Sequence, residues 1–184
     1  MLAEQRRTVA ELDALLPAVL GRASRGKLQM FLVSHSLDVR EREIRSWIPK
    51  HPSIALITAA VYFEWTLCRA IVGLSKRPNK EVRQDLERIH GLDAYKDIWR
   101  RETAHLPDAK TLPQAVKDWH GVATAFEARN VLVHGRDRYT QNMVRPRIDS
   151  VLAGVRDICA CCLNHGLDVN ERLPQRRQKK DTSK

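Results

Sequence analysis

Apolar residues recur along this chain at intervals of three and four, and sustained strict alternation is missing, so the pattern predicts helices and no sheet. Over about residues 3–20, Val9, Leu12, Leu15, Leu16 and Val19 make one apolar face, which Gly21 closes. A second helix is expected over about 27–48, ended by Pro49 and Pro52, with Ser53 suited to cap the next. The stretch 54–74 is apolar nearly all round, as in the central helix of a bundle or a membrane span. Glu64 and Arg69 decide for the bundle, because each ion would cost about 2.5–3.5 kcal/mol at a bilayer centre. Glu64 is then a charge inside the protein, for which a basic group on a neighbouring helix, with Arg129 a candidate, is the expected partner.

Residues 75–113 turn polar, charged and proline-punctuated, with short helices expected at about 80–90 and 94–101. They read as a helical insertion, either plain surface or a lid or partner-contact arm over a site. One long helix is expected over about 112–134, stopped by Gly135. A last helix over about 144–165 carries Ile148, Val151, Leu152, Val155, Ile158 and Cys162, and stops at Gly166. The sum is an all-α fold, an up-and-down helical bundle forming a single domain over 1–169, followed by a basic tail, 170–184, read as disordered, with a solubilising role or phosphate contact as its alternatives.

The net charge of +10 favours a polyanionic partner, with nucleic acid the leading candidate, since Lys and Arg that neutralise phosphates release condensed counterions. The tail holds six basic residues against Glu171 and Asp181, which leaves +4 there and +6 on the rest, so the excess is not only a tail effect. Cys68, Cys159, Cys161 and Cys162 sit mostly in an apolar helical pattern rather than at the spaced loop positions of a secreted disulfide framework. With no signal-peptide pattern at Met1–Arg7, a reducing, cytoplasmic setting is expected. Cys159, Cys162 and His165 have metal-compatible spacing but lack a fourth ligand, and buried core thiols explain them better. No metal or other cofactor is expected, and no membrane partner.

Candidate chemistry lies in Glu127-Ala128-Arg129-Asn130-Val131-Leu132-Val133-His134-Gly135. At about 100° per residue, Trp119, Val122, Phe126 and Val133 share one stripe, and Arg129 and Asn130 flank its centre at roughly 50° on either side. Polar groups there hold an internal network or line a cleft. Asn130 and His134 are about 40° apart on an ideal helix, but Arg129 and His134 about 140°, so convergence requires a long reach, a helix end near His134, or two copies meeting at a dimer axis. Arg136, Arg138 and Tyr139 follow directly and are candidates for binding an RNA backbone and stacking a base. An arginine and a histidine suffice for RNA cleavage without metal, since the 2′-hydroxyl is a built-in nucleophile. His134 is the candidate acid or base, Arg129 the stabiliser of phosphoryl charge, and Asn130 an orienting amide.

The string Arg129-Asn130-Val131-Leu132-Val133-His134, late in a long helix of an all-helical chain, resembles the Arg-x(4–6)-His signature of the HEPN superfamily (higher eukaryotes and prokaryotes nucleotide-binding). The resemblance is specific at about eight residues, and the helix order is compatible over about 27–165. It implies a helical-bundle homodimer in which two motifs build a shared cleft, and a metal-independent endoribonuclease of the toxin–antitoxin or antiphage defence type. It gives Arg129 and His134 the catalytic roles and Asn130 a supporting one. One toxin branch carries Arg-x4-His-x-Tyr, whereas here Arg136 occupies the tyrosine's place. Two rival readings are a non-catalytic nucleic-acid or nucleotide-binding module and an interaction subunit whose basic surface docks an antitoxin or other regulatory protein.

Overall fold

The computed structural model describes residues 36–89, 91–135 and 139–177. The helix expected at about 3–20 and residues 27–35 of the one expected at about 27–48 lie outside them; the described helix starts at Leu37, after an extended Ser36 (φ −67°, ψ 162°). The described residues form seven helices and no strand, so the fold is all-α: α1 Leu37–Trp47, α2 Pro52–Leu74, α3 Asn79–Glu87, α4 Leu92–Thr103, α5 Leu112–Ala115, α6 Trp119–Val133 and α7 Gln141–Asn164.

The central helix is α2, packed against α1, α3, α4, α6 and α7. Fourteen of its 23 residues are buried, which accounts for an apolar pattern long enough to cross a membrane. Its N-cap is His51 rather than the expected Ser53. Pro52 takes the first helical position, where its missing N–H costs nothing. Along α7 the register is fixed at three points. The Gln141 side chain donates to the Pro49 carbonyl at 2.8 Å, Gly154 lies against Phe63 and Val122, and Leu167 beyond the helix end covers Gly73. Therefore α7 runs in the direction of α2. Arg45–Asp149 and Arg156–Glu41 ion pairs show α1 running against α7. The Phe63 and Phe126 rings meet edge to face at 5.7 Å, locking α6 into the same core.

The long helix expected over 112–134 is two helices. Thr111 and Gln114 form a capping box at the start of α5, Val116 is extended (φ −108°, ψ 112°), and the Asp118 carboxylate accepts from the Gly121 N–H at 3.0 Å to start α6 afresh. The break seats both Leu112 and Val116 in the core. Within the segment expected as an insertion, a polar network ties α4 to Ser75, the C-cap of α2. Glu102 on α4, 3% exposed, accepts from Ser75 Oγ at 2.6 Å, Arg77 at 2.9 Å and Arg101 at 2.8 Å.

The tail expected to be disordered from residue 170 is instead bound through residue 177. After Gly166 (φ +72°) an extended strap runs along the C-terminal half of α2, burying Leu167, Val169 and Leu173. Arg69 donates to the carbonyls of Val169 (2.6 Å) and Glu171. Arg40, 1% exposed, donates to Asn170 Oδ1 at 2.9 Å and to the Tyr62 hydroxyl at 3.2 Å. The Arg40 and Arg69 guanidinium carbons lie 4.9 and 5.0 Å from the Trp65 ring centroid. Composition missed the strap because much of what holds it is its own backbone carbonyls, which Arg69 and Asn79 grip and which carry no sequence signal. Residues 178–184 lie outside the described part.

Candidate functional site

Helix α6 ends where its sequence requires. Gly135 takes φ +64°, a conformation that admits glycine without strain, and its N–H donates to the Leu132 carbonyl at 3.0 Å. His134 is thereby the last capping residue (φ −88°, ψ 6°), its own N–H still donating to the Asn130 carbonyl at 3.1 Å. Its side chain is exposed, as is that of Asn130. The helix does end at His134, and within one chain Arg129 and His134 remain more than a full turn apart along α6.

Arg129 is half-buried and donates to Asn130 Oδ1 at 3.0 Å. Its Nε is buried without a hydrogen-bond partner among the described residues. Arg129 bears electrostatically on Glu64 of α2: burial pushes the Glu64 carboxyl above the usual range, and the guanidinium pulls it partly back. Glu64 is half-buried rather than enclosed, and Arg129 offsets its burial only in part, with no close ion pair between them among the described residues.

Sequence reasoning did not foresee Tyr95. Its hydroxyl stands 3.6 Å from Cys68 Sγ, and burial, then Cys68, then Glu64 raise the phenol's pKa against the opposing pull of Arg129. Burial also pushes the Cys68 thiol up. Glu64 and Cys68 are four apart on α2 and so share a face; that spacing was the available hint. Together Glu64, Cys68, Tyr95 and Arg129 make a polar cluster linking α2, α4 and α6 behind the exposed helix end.

No protein-family model, curated protein or solved structure matches this chain.

The substrate-binding candidates divide. Arg136 and Arg138 lie outside the described residues. Tyr139 is half-buried against the core, and the Arg147 guanidinium carbon lies 5.4 Å from its ring centroid, so one face of the proposed stacking platform is already covered. Val133, expected on the buried stripe, is 44% exposed because α6 stops there, and Met143 across the turn is 39% exposed. These two side chains put apolar surface at the same end of the molecule as His134. The α7 thiols are elsewhere: Cys159 and Cys162 are buried, and burial pushes the Cys159 thiol up to about 11.

Proposed function

We propose that this chain is a metal-independent endoribonuclease of the HEPN type, an up-and-down bundle acting as a homodimer in toxin or antiphage defence. The carrying observation is the helix stop that exposes the His134 imidazole just beyond a guanidinium held by the Asn130 amide. In the reaction, the RNA 2′-oxygen attacks the adjacent phosphorus and the bond from phosphorus to the 5′-oxygen breaks. One imidazole takes the 2′-hydroxyl proton while an imidazolium, supplied by the second copy, protonates the leaving 5′-oxygen. Arg129 stabilises the charge developing on the phosphoryl oxygens, and Asn130 holds its guanidinium. The products are a 2′,3′-cyclic phosphate and a 5′-hydroxyl. The exposed Val133 and Met143 suit a contact between copies, and the net charge of +10 suits RNA.

A second reading is favoured by the pull of Arg129 on Glu64: the arginine is a structural cation and the protein a binding module. Cleavage of a labelled RNA in EDTA by wild type and by His134→Ala separates the two, because His134 is exposed and its loss leaves the fold intact. The enzyme reading expects loss of cleavage in His134→Ala with melting temperature and sedimented mass unchanged. Absence of cleavage by wild type on varied RNAs, or undiminished cleavage by His134→Ala, overturns it.

A further inference from the structure

A basic groove lies at the other end of α2 from His134, between α3 and the bound strap. Its cavity is about 490 Å³, with Lys80, Arg83 and Gln84 of α3 on one wall, Arg176 and Arg177 on the other, and Glu87 its one carboxylate. A smaller hollow of about 320 Å³ extends it past Glu81, whose carboxylate is already engaged by Arg77 at 3.5 Å.

The walls are built rather than incidental. The Asn79 N–H donates to the Arg176 carbonyl at 3.1 Å, the Asn79 side-chain amide to the Pro174 carbonyl at 2.8 Å, and the Arg176 N–H to Asn79 Oδ1 at 3.1 Å. The Arg176 guanidinium donates to the last carbonyls of α2, those of Val72 at 3.4 Å and Gly73 at 3.1 Å. By contrast Lys80, Arg83 and Arg177 are exposed and form no ion pair among the described residues, although carboxylates elsewhere on α3 are taken by Arg77 and Arg101. Uncompensated cations facing one concave surface, with no aromatic ring in the lining, fit a string of phosphates and not a stacked base.

We infer that this groove binds the phosphate backbone of a single-stranded nucleic acid, independently of its sequence. From Pro52 to Leu74, α2 spans on the order of 30 Å, and the Gln141–Pro49 contact puts the His134 end at its start. The groove is therefore a separate contact, and binding here does not rest on the ribonuclease reading.

The test is fluorescence anisotropy of a labelled 20-nucleotide oligouridylate over a salt series. The full chain carrying His134→Ala serves as parent, so that cleavage cannot intrude. Lys80→Gln/Arg83→Gln is compared with Arg42→Gln/Lys110→Gln, two exposed cations elsewhere that also form no ion pair among the described residues. The groove variant should bind about tenfold or more weakly at 0.1 M salt, and the slope of log affinity against log salt should shrink by about 1.4, two phosphate contacts at about 0.7 each. The control variant should stay within about twofold of the parent. Absence of oligouridylate binding, equal losses in the two variants, or binding confined to anionic lipid vesicles overturns the inference. No oligouridylate binding beside intact wild-type cleavage fails the groove proposal alone, and groove-dependent binding beside absent wild-type cleavage fails the ribonuclease proposal alone.

Discussion

Replacing Glu102 by glutamine tests the network that seats α3 and α4 against α2. The carboxylate is 3% exposed, and Ser75, which donates to it at 2.6 Å, is fully buried. Charge-assisted hydrogen bonds of this kind contribute about 1.5–3 kcal/mol. The two arginine partners are 38% and 54% exposed, so solvent screens each of them to about 0–1 kcal/mol. A glutamine keeps one acceptor but turns an N–H toward donors, for a net cost of about 2–3 kcal/mol at pH 7. For a domain of this size that is about 5–10 °C in melting temperature. The pH dependence has a definite sign. Burial opposes the charge, but Ser75, Arg101 and Arg77 outweigh it and hold Glu102 below its ordinary value of 4.5. The wild-type advantage is thus complete above that value and fades as pH falls through the lower folded value. Urea melts of both proteins at pH 7 and at pH 3 measure this directly. A loss under about 0.5 kcal/mol at pH 7, or a loss equal at both pH values, refutes the reasoning.

Glu64→Gln should behave oppositely: its carboxyl is pushed up, so wild-type stability attributable to it is present below the unfolded value and lost as pH rises through the folded one. The variant should gain on wild type in urea melts between pH 4 and pH 8, whereas a relative loss at pH 8 would mean that Arg129 more than compensates burial. Gly73→Val should cost about 1–3 kcal/mol, since even a Cβ at Gly73 would lie 2.5 Å from Leu167 Cδ2. It should also speed limited proteolysis beyond residue 167, and an unchanged digestion rate would argue against close packing of the strap.

The burial of α2 was legible because apolar residues all round a helix leave it nowhere but the interior, whereas Glu64 within it comes out half-buried, with Arg129 offsetting its burial only in part. The stop after His134 was legible in Gly135, for which the backbone demands a positive φ. The break at Val116 escaped because apolar spacing continues across it; the signal was local, an Asp118 three residues before Gly121. Tyr95 escaped because its contact depends on how α4 docks, which no single-helix pattern encodes. The strap looked disordered because basic composition hides its Leu167 and Val169 alternation and the arginines that grip its carbonyls.

That grip joins residues far apart in the sequence: Asn79 meets Pro174, and Val72 meets Arg176, across about a hundred intervening positions. Such contacts repay their loop-closure entropy only after the intervening helices have collapsed. On the ribosome, the carboxyl end of α2 therefore stays uncovered until synthesis has passed residue 177, leaving a nascent intermediate whose bare apolar seam is a target for chaperones.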